Sequence, residues 1–538
     1  MSTKNAEPFP HNGLRHLSPR ETLQRLDALR CTLPQRMEPR CSGQVHIGLF
    51  FDGTGNNMKL DYEDRPPHQR KHTYVVKLFL AHRLAPKDGY FRIYLPGVGT
   101  PFAEIGDSGG TRGRAFAHKG EDRITWALLQ VLNTVHEYVR GARLMDDTRT
   151  AHIAQTLASI GSPAAQRRTA LQTWQRHLAG ALEGQLPRVE QINLSVFGFS
   201  RGAAAARAFV NWLFEVCTPA HGGWTFAGIP LRVGFMGLFD TVASVGMANL
   251  FDNGVLTGHQ AWADGSMDIH HAVEQCVHYV AGHEVRACFP LDSVRTGHQY
   301  PANAKEVMFP GGHSDVGGGY APGELGVSPS LDRMMAILPG VRMYHEARRA
   351  GVPLLPWDEL RKDEQDGFSP SDMLIQDFNA YVRAMGFGPA PVEQLHRRHM
   401  GAYFHHRFRQ RHTFRQRAPY TRASRQDQQA LEHTQDCLIR RLATLGGGHP
   451  LEPHYQPQRA VQLHQAMHKA AGLQPSRADR YVYEVVEYML ASPVAPEVEH
   501  FFDHYVHDSM AGFKEQLNEY AKNGIGFVKF RTVFQGGH

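Results

Sequence analysis

The chain has 538 residues, 42% of them hydrophobic, and a formal charge of +6. That length suits two or three domains, or one large α/β domain with insertions, and the apolar share supports a sizeable core. The charge is too small to argue for nucleic acid, the 6 cysteines without a C-x-x-C argue against a disulfide framework and a zinc ribbon, and no apolar run reaches the ~18 residues of a bilayer span.

Residues 1–43 read as a polar N-terminal arm. Met1 to Pro10 lack the apolar stretch of a signal peptide, so the expectation is a chain made in the cytoplasm and moved by another route. Ser18-Pro19-Arg20-Glu21 is a capping box that opens a short helix to about Leu33. Gln44 to Phe51 reads as a buried strand ending in Asp52-Gly53-Thr54-Gly55, and Thr73 to Leu84 has helical periodicity. Tyr90 to Leu95 is a second strand, Glu121 to Leu144 a long amphipathic helix, and residues 145–188 a helical insertion.

Ile192 to Phe197 is a strand that runs into Gly198-Phe199-Ser200-Arg201-Gly202, and Ala203 to Val210 are strong helix formers. A serine on a sharp strand-to-helix turn is a nucleophile elbow. The glycines let the backbone pack tightly there, and the helix start aims N–H groups at a developing oxyanion. The G-x-S-x-G pattern alone is weak, arising by chance in about one such chain in four. Gly106-Asp107-Ser108-Gly109-Gly110 also matches it, but no strand leads directly into it and Thr111-Arg112-Gly113-Arg114 continue as loop, so a structural or substrate-facing loop is expected there.

Leu231 to Phe239 is the next strand, ending at Asp240, and Lys305 to Phe309 another, ending in Pro310-Gly311-Gly312-His313. Residues from about 325 to 500 are mostly helical in pattern, and Gly526 to Phe534 is strand-like and expected to return to the sheet edge. Strands alternating with helices imply an α/β fold: an α/β-hydrolase-like, mainly parallel sheet with helices on both faces, plus a helical accessory region. The expected division is the arm 1–43, a catalytic core 44–325 with the insertion 145–188, an accessory or lid region 326–500, and a C-terminal segment 501–538 that returns to the core.

Catalytic groups of parallel sheets collect at the carboxyl ends of strands, and Asp52, Ser200, Asp240 and His313 all follow strands. Ser200, Asp240 and His313 stand in the chain order of a hydrolase triad. Ser200 would attack an acyl carbonyl, His313 would take its proton, and Asp240 would orient the imidazole. The oxyanion would sit on the N–H of Arg201 and an N–H from the Gly53-Thr54 turn. Asp240 could instead cap the segment from Thr241, with Asp252 and Asp315 as the next candidate acids, and His507 is the second candidate base. Asp52-Gly53-Thr54-Gly55 lacks the Lys and the spacing of a phosphate loop.

These residues together resemble a known family. Ile47 to Asn57, Gly198 to Ala203, Gly237 to Val242 and Phe309 to Tyr320 look like the signature blocks of the bacterial type VI secretion lipase effectors of the G-x-S-x-G class, and Tyr505 to Ser509 is similar to their late block. The resemblance implies an antibacterial phospholipase of the A type, delivered by the type VI apparatus and acting at the membrane in a neighbour's periplasm. It implies Ser200, Asp240 and His313 as nucleophile, acid and base, membrane phospholipid as substrate, a spike-protein carrier and a cognate immunity protein. The alternatives are a soluble esterase or thioesterase, and a non-catalytic spike adaptor that keeps the hydrolase fold.

Arg397 to Arg425 is basic and interleaved with Tyr403, Phe404, Phe408 and Phe414. It reads as a nucleic-acid surface, an anionic-lipid patch or an ordinary amphipathic helix, and the last is preferred. His270-His271 and His405-His406 are adjacent pairs that do not easily share one ion, and H-E-x-x-H is absent, so neither a required metal nor a cofactor is expected.

Overall fold

The computed structural model describes residues 2–29, 41–110, 119–159, 164–220, 222–243, 261–286, 288–492, 495–513 and 528–536. Thr111 to Arg114, Asp252 and the expected end of the first helix at Leu33 lie outside them. The main sheet runs in spatial order β1 (Lys4–Asn5), β10 (Ala304–Phe309), β8 (Cys276–Ala281), β7 (Ile229–Phe239), β4 (Arg188–Phe199), β2 (Ser42–Phe51) and β3 (Tyr90–Leu95). These strands pair in parallel, and β5 (Thr218–Ala220) and β6 (Gly223–Phe226) add an antiparallel ribbon to β7.

Successive side chains of a strand face opposite ways, and the sheet divides its core accordingly. Phe50, Phe197 and Phe235 point to one face, where the Phe50 and Phe197 rings stack at 5.0 Å. Helices α1 (Ile337–Arg349) and α2 (Asp372–Met385), both from the accessory region, complete this side. Leu49, Val196 and Met236 point to the other face, under the helix Gly120–Arg140 and the elbow helix Arg201–Phe214. The insertion supplies helices Asp147–Ser159 and Ala164–Leu182 to that second face.

Several expectations change. Residues 1–43 are not a separate arm, because Lys4 and Asn5 pair with Val307 and Met308 and fill the open edge of β10. Thr3 Oγ1 also donates to the buried Glu306 carboxylate at 2.7 Å. The C-terminal strand β11 (Val533–Gly536) does not join the main sheet edge; it pairs in parallel with β9 (Leu291–Thr296) in a two-stranded sheet of its own. Region 326–500 packs directly on the sheet, with Phe378 stacked on Phe309 of β10 at 6.2 Å. Among the described residues no helix is long and apolar enough to cross a membrane.

Candidate active site

Ser200 sits between β4 and the helix Arg201–Phe214 with φ 58° and ψ −129°. A non-glycine residue there stores roughly 1–3 kcal/mol of strain, which the surrounding backbone must hold. It does so at both ends: the Ser200 N–H donates to the Phe239 carbonyl at 3.0 Å, and its carbonyl accepts from Ala203 N and Val242 N. The flanking glycines serve close approach. A Cβ at Gly198 would lie 2.6 Å from Ala203 Cα, and one at Gly202 would run into the carbonyl oxygens of Phe51 and Asp52.

Because Phe199 and Phe239 are paired across β4 and β7, Ser200 and Asp240 emerge side by side at the carboxyl ends of the sheet. His313 follows β10, which β8 separates from β7, and its Nδ1 lies 2.5 Å from Asp240 Oδ2. The His313 ring packs on Phe199, the residue before Ser200, at 4.5 Å, and edge-on to Phe289 at 4.9 Å. With Nδ1 engaged by the carboxylate, Nε2 is the nitrogen left to act as base. Burial pushes the imidazole below its ordinary value, and Asp240 only partly restores it.

Asp240 is buried and its four polar contacts leave it fully paired: Ala281 N (2.8 Å), His313, and both terminal nitrogens of Arg531 (2.8 Å each). Burial alone would raise this carboxyl, but Arg531 and His313 outweigh it and hold it well below the usual carboxylate range. Arg531 is itself anchored, donating from Nε to the Phe289 carbonyl and from its N–H to His396 Nε2. Sequence reasoning missed Arg531. The one cue was a lone arginine beside Phe530 in a segment expected to return to the core.

The Asp52 turn meets the elbow through Arg201, whose Nε donates to Thr54 Oγ1 at 2.6 Å. One expectation is corrected here: the Gly53 N–H is turned onto the Asp52 carboxylate at 2.8 Å, so Thr54 is the residue of that turn left to offer a donor. Asp52 also accepts from Thr73 and Tyr94 at 2.6 Å, and burial raises it to about 6 against those bonds. It orders the turn.

The alternative acid and base form a pair of their own. Asp315 Oδ1 lies 2.6 Å from His507 Nδ1, and its Oδ2 accepts from the N–H groups of His507 and Gly312. The His507 ring stacks on Tyr320 at 3.8 Å. This pair clamps the loop that presents His313. A second buried brace is Glu284, which accepts from the His313 N–H at 3.2 Å and from Ser509 Oγ; burial raises its carboxyl, but Arg286 overrides this and holds it at about 2.

Other sequence features fall into place. Asp107 of the second G-x-S-x-G match pairs with Arg123 at 2.7 Å and turns the loop through Gly109 N. In the basic stretch, Tyr403, Phe404, Phe408 and Phe414 are buried, Arg407 binds Asp508 and Gln435, and Arg417 binds Asp503. Its charges therefore serve internal packing to a large extent. His270 stacks on Phe214 at 4.2 Å, and His406 bonds Asp503 at 3.0 Å. A cavity lined by Gln44, His46, Asn193 and Arg232 lies toward the amino ends of the strands, away from Ser200.

A parallel sheet covered by helices, with a strained serine turn beside a carboxylate–imidazole pair, places the chain in the α/β-hydrolase class. Residues 218–337 match the family model described as the catalytic domain of the Tle1-like phospholipase effectors of the type VI secretion system. Over those residues the chain is similar to the type VI secretion phospholipase effectors. The matched segment contains Asp240 and His313. No curated protein matches the chain. Among solved structures, an uncharacterized protein from Pseudomonas aeruginosa is similar with a TM-score of 0.76 and 26% identity, over 100% of this chain and 85% of that one. A Tle1 effector bound to the VgrG spike aligns at a TM-score of only 0.26 and 22% identity, over 53% of each chain.

Proposed function

We propose that this chain is an antibacterial phospholipase of the A type that cleaves carboxylic esters of membrane phospholipids through an acyl-Ser200 intermediate. His313 Nε2 takes the Ser200 proton as Oγ attacks the ester carbonyl, then gives it to the leaving alcohol. Asp240 holds the Nδ1 proton and offsets the charge that forms on the ring. The N–H groups of Arg201 and Thr54 receive the oxyanion. Water, deprotonated by the same imidazole, then releases the fatty acid. Delivery by the type VI apparatus on a spike carrier, action in the periplasm of a neighbouring cell and protection of the producer by an immunity protein complete the reading. The accessory helices 326–500 would gate the acyl pocket and meet the bilayer.

The observation that carries this reading is the 2.5 Å bond between His313 and Asp240, with Asp240 at the end of the strand paired to the one that leads into Ser200. Product analysis on phospholipid vesicles with differently labelled acyl chains tests it. Fatty acid and lysophospholipid are expected from the wild-type protein, and none above background from Ser200→Ala. Hydrolysis of dispersed short-chain esters without any vesicle activity would favour the soluble esterase. Undiminished target-cell toxicity of secreted Ser200→Ala would favour the adaptor.

A further inference from the structure

His464 and His468 stand four residues apart on the helix Pro457–Ala470, so both rings leave the same face, with centroids 4.5 Å apart. Asp479, in the first turn of the next helix Arg477–Ala491, faces them. One ligand atom from each of the three lies within 4.8 Å of the others, and all three side chains are half-buried.

Hydrogen bonds engage one polar atom of each side chain and leave the other for a ligand. His468 Nδ1 lies 3.0 Å from the His464 carbonyl, which can only accept, so Nδ1 carries the proton and Nε2 keeps its lone pair. His464 Nδ1 lies 2.6 Å from Tyr483 Oη, which can accept in the same way. Asp479 Oδ2 is taken by the Ser476 N–H and hydroxyl at 3.0 and 2.6 Å, leaving Oδ1 for another partner. Imidazoles whose far nitrogen is hydrogen-bonded, beside an oriented carboxylate, are the arrangement that prepares first-row metal ligands.

We propose that His464, His468 and Asp479 form a binding site for a zinc-class divalent ion, clasping the helices Pro457–Ala470 and Arg477–Ala491 together. Two imidazoles and one carboxylate suit Zn²⁺ or Co²⁺, and do not suit Mg²⁺ or Ca²⁺, which take oxygen ligands. Three protein ligands leave one position for water or for an external donor. Arg441 acts on the Asp479 charge, which weakens the site for a dication. The site is separate from Ser200 and does not depend on the hydrolase reading.

The test uses the full chain without an affinity tag, stripped with chelator and titrated with ZnCl₂ in a calorimeter, with Co²⁺ absorption as a second readout. One equivalent is expected, with a rise in Tm on binding. His464→Ala and His468→Ala should each weaken that equivalent at least about tenfold, and Tyr483→Phe, which removes only an outer partner, by about tenfold. Circular dichroism of each metal-free variant checks that it is folded. A wild-type protein that takes up no Zn²⁺ overturns the proposal, as does a folded His464→Ala/His468→Ala variant with the wild-type isotherm.

Discussion

Arg531 and Asp240 are joined by two parallel hydrogen bonds of 2.8 Å, and both side chains are buried. A residue from the C-terminal segment thus holds the carboxylate that holds His313. Two-pronged charge-assisted bonds set orientation as well as charge. Removing one partner of such a pair strands the other without compensation.

Arg531→Met should therefore cost about 3–5 kcal/mol of stability, read from urea unfolding. Its residual ester hydrolysis should show the acid limb moved up, because Asp240 without Arg531 acts more strongly on His313. Arg531→Lys keeps the charge but loses the planar fork, and should recover part of the stability and little of the rate. Equal stability and rate in all three proteins would remove Arg531 from the site.

The pH profile follows from the burial of His313. The base works as neutral imidazole, and its folded value lies below the ordinary one of about 6.5. Activity is complete above that lowered value and is lost as pH falls through it. The acid limb of kcat/KM should thus lie below about pH 6.5. A limb above that point would mean that a different group, or a charged His313, controls the step.

The two histidine–carboxylate pairs separate by substitution. His313→Ala should reduce kcat by roughly 10³-fold or more, as loss of a general base does. His507→Gln should act through the loop that carries His313, with a loss of about tenfold or less and a fall in Tm. A reversal of these two results in folded proteins would transfer the base to His507.

Gly202→Ala tests the elbow as a packing object. A Cβ there meets the carbonyl oxygens of Phe51, the last residue of the neighbouring strand, and of Asp52, which follows it; these are backbone atoms and cannot swing away. Destabilisation of about 1–3 kcal/mol or more is expected by chemical unfolding. An unchanged midpoint would show that the turn is wider than described.

Much of this was legible in the chain because local signals agree at each point. Gln44 to Phe51, Tyr90 to Leu95 and Leu231 to Phe239 are apolar runs bounded by turn residues, and all lie in strands. The Ser18–Glu21 capping box forms as read, with the Glu21 carboxylate on the Ser18 N–H and hydroxyl. The strands Cys276–Ala281 and Leu291–Thr296 were missed, since short strands holding His278, Asp292 and Arg295 do not alternate cleanly. Burial of those polar residues depends on partners distant in sequence, such as Glu306 beneath His278. For the same reason nothing local could tell that Lys4 and Asn5 complete the sheet, or that Arg531 reaches Asp240.

A Ser200 activated by His313 reacts directly with an electrophile. Labelling with a serine-directed fluorophosphonate, followed by peptide mass analysis, measures this without a choice of lipid. One adduct on the Ser200 peptide is expected in the wild-type protein, with labelling slowed roughly 10²–10⁴-fold in His313→Ala and absent in Ser200→Ala. A folded wild-type protein that stays unlabelled, or an adduct that persists in Ser200→Ala, would contradict it.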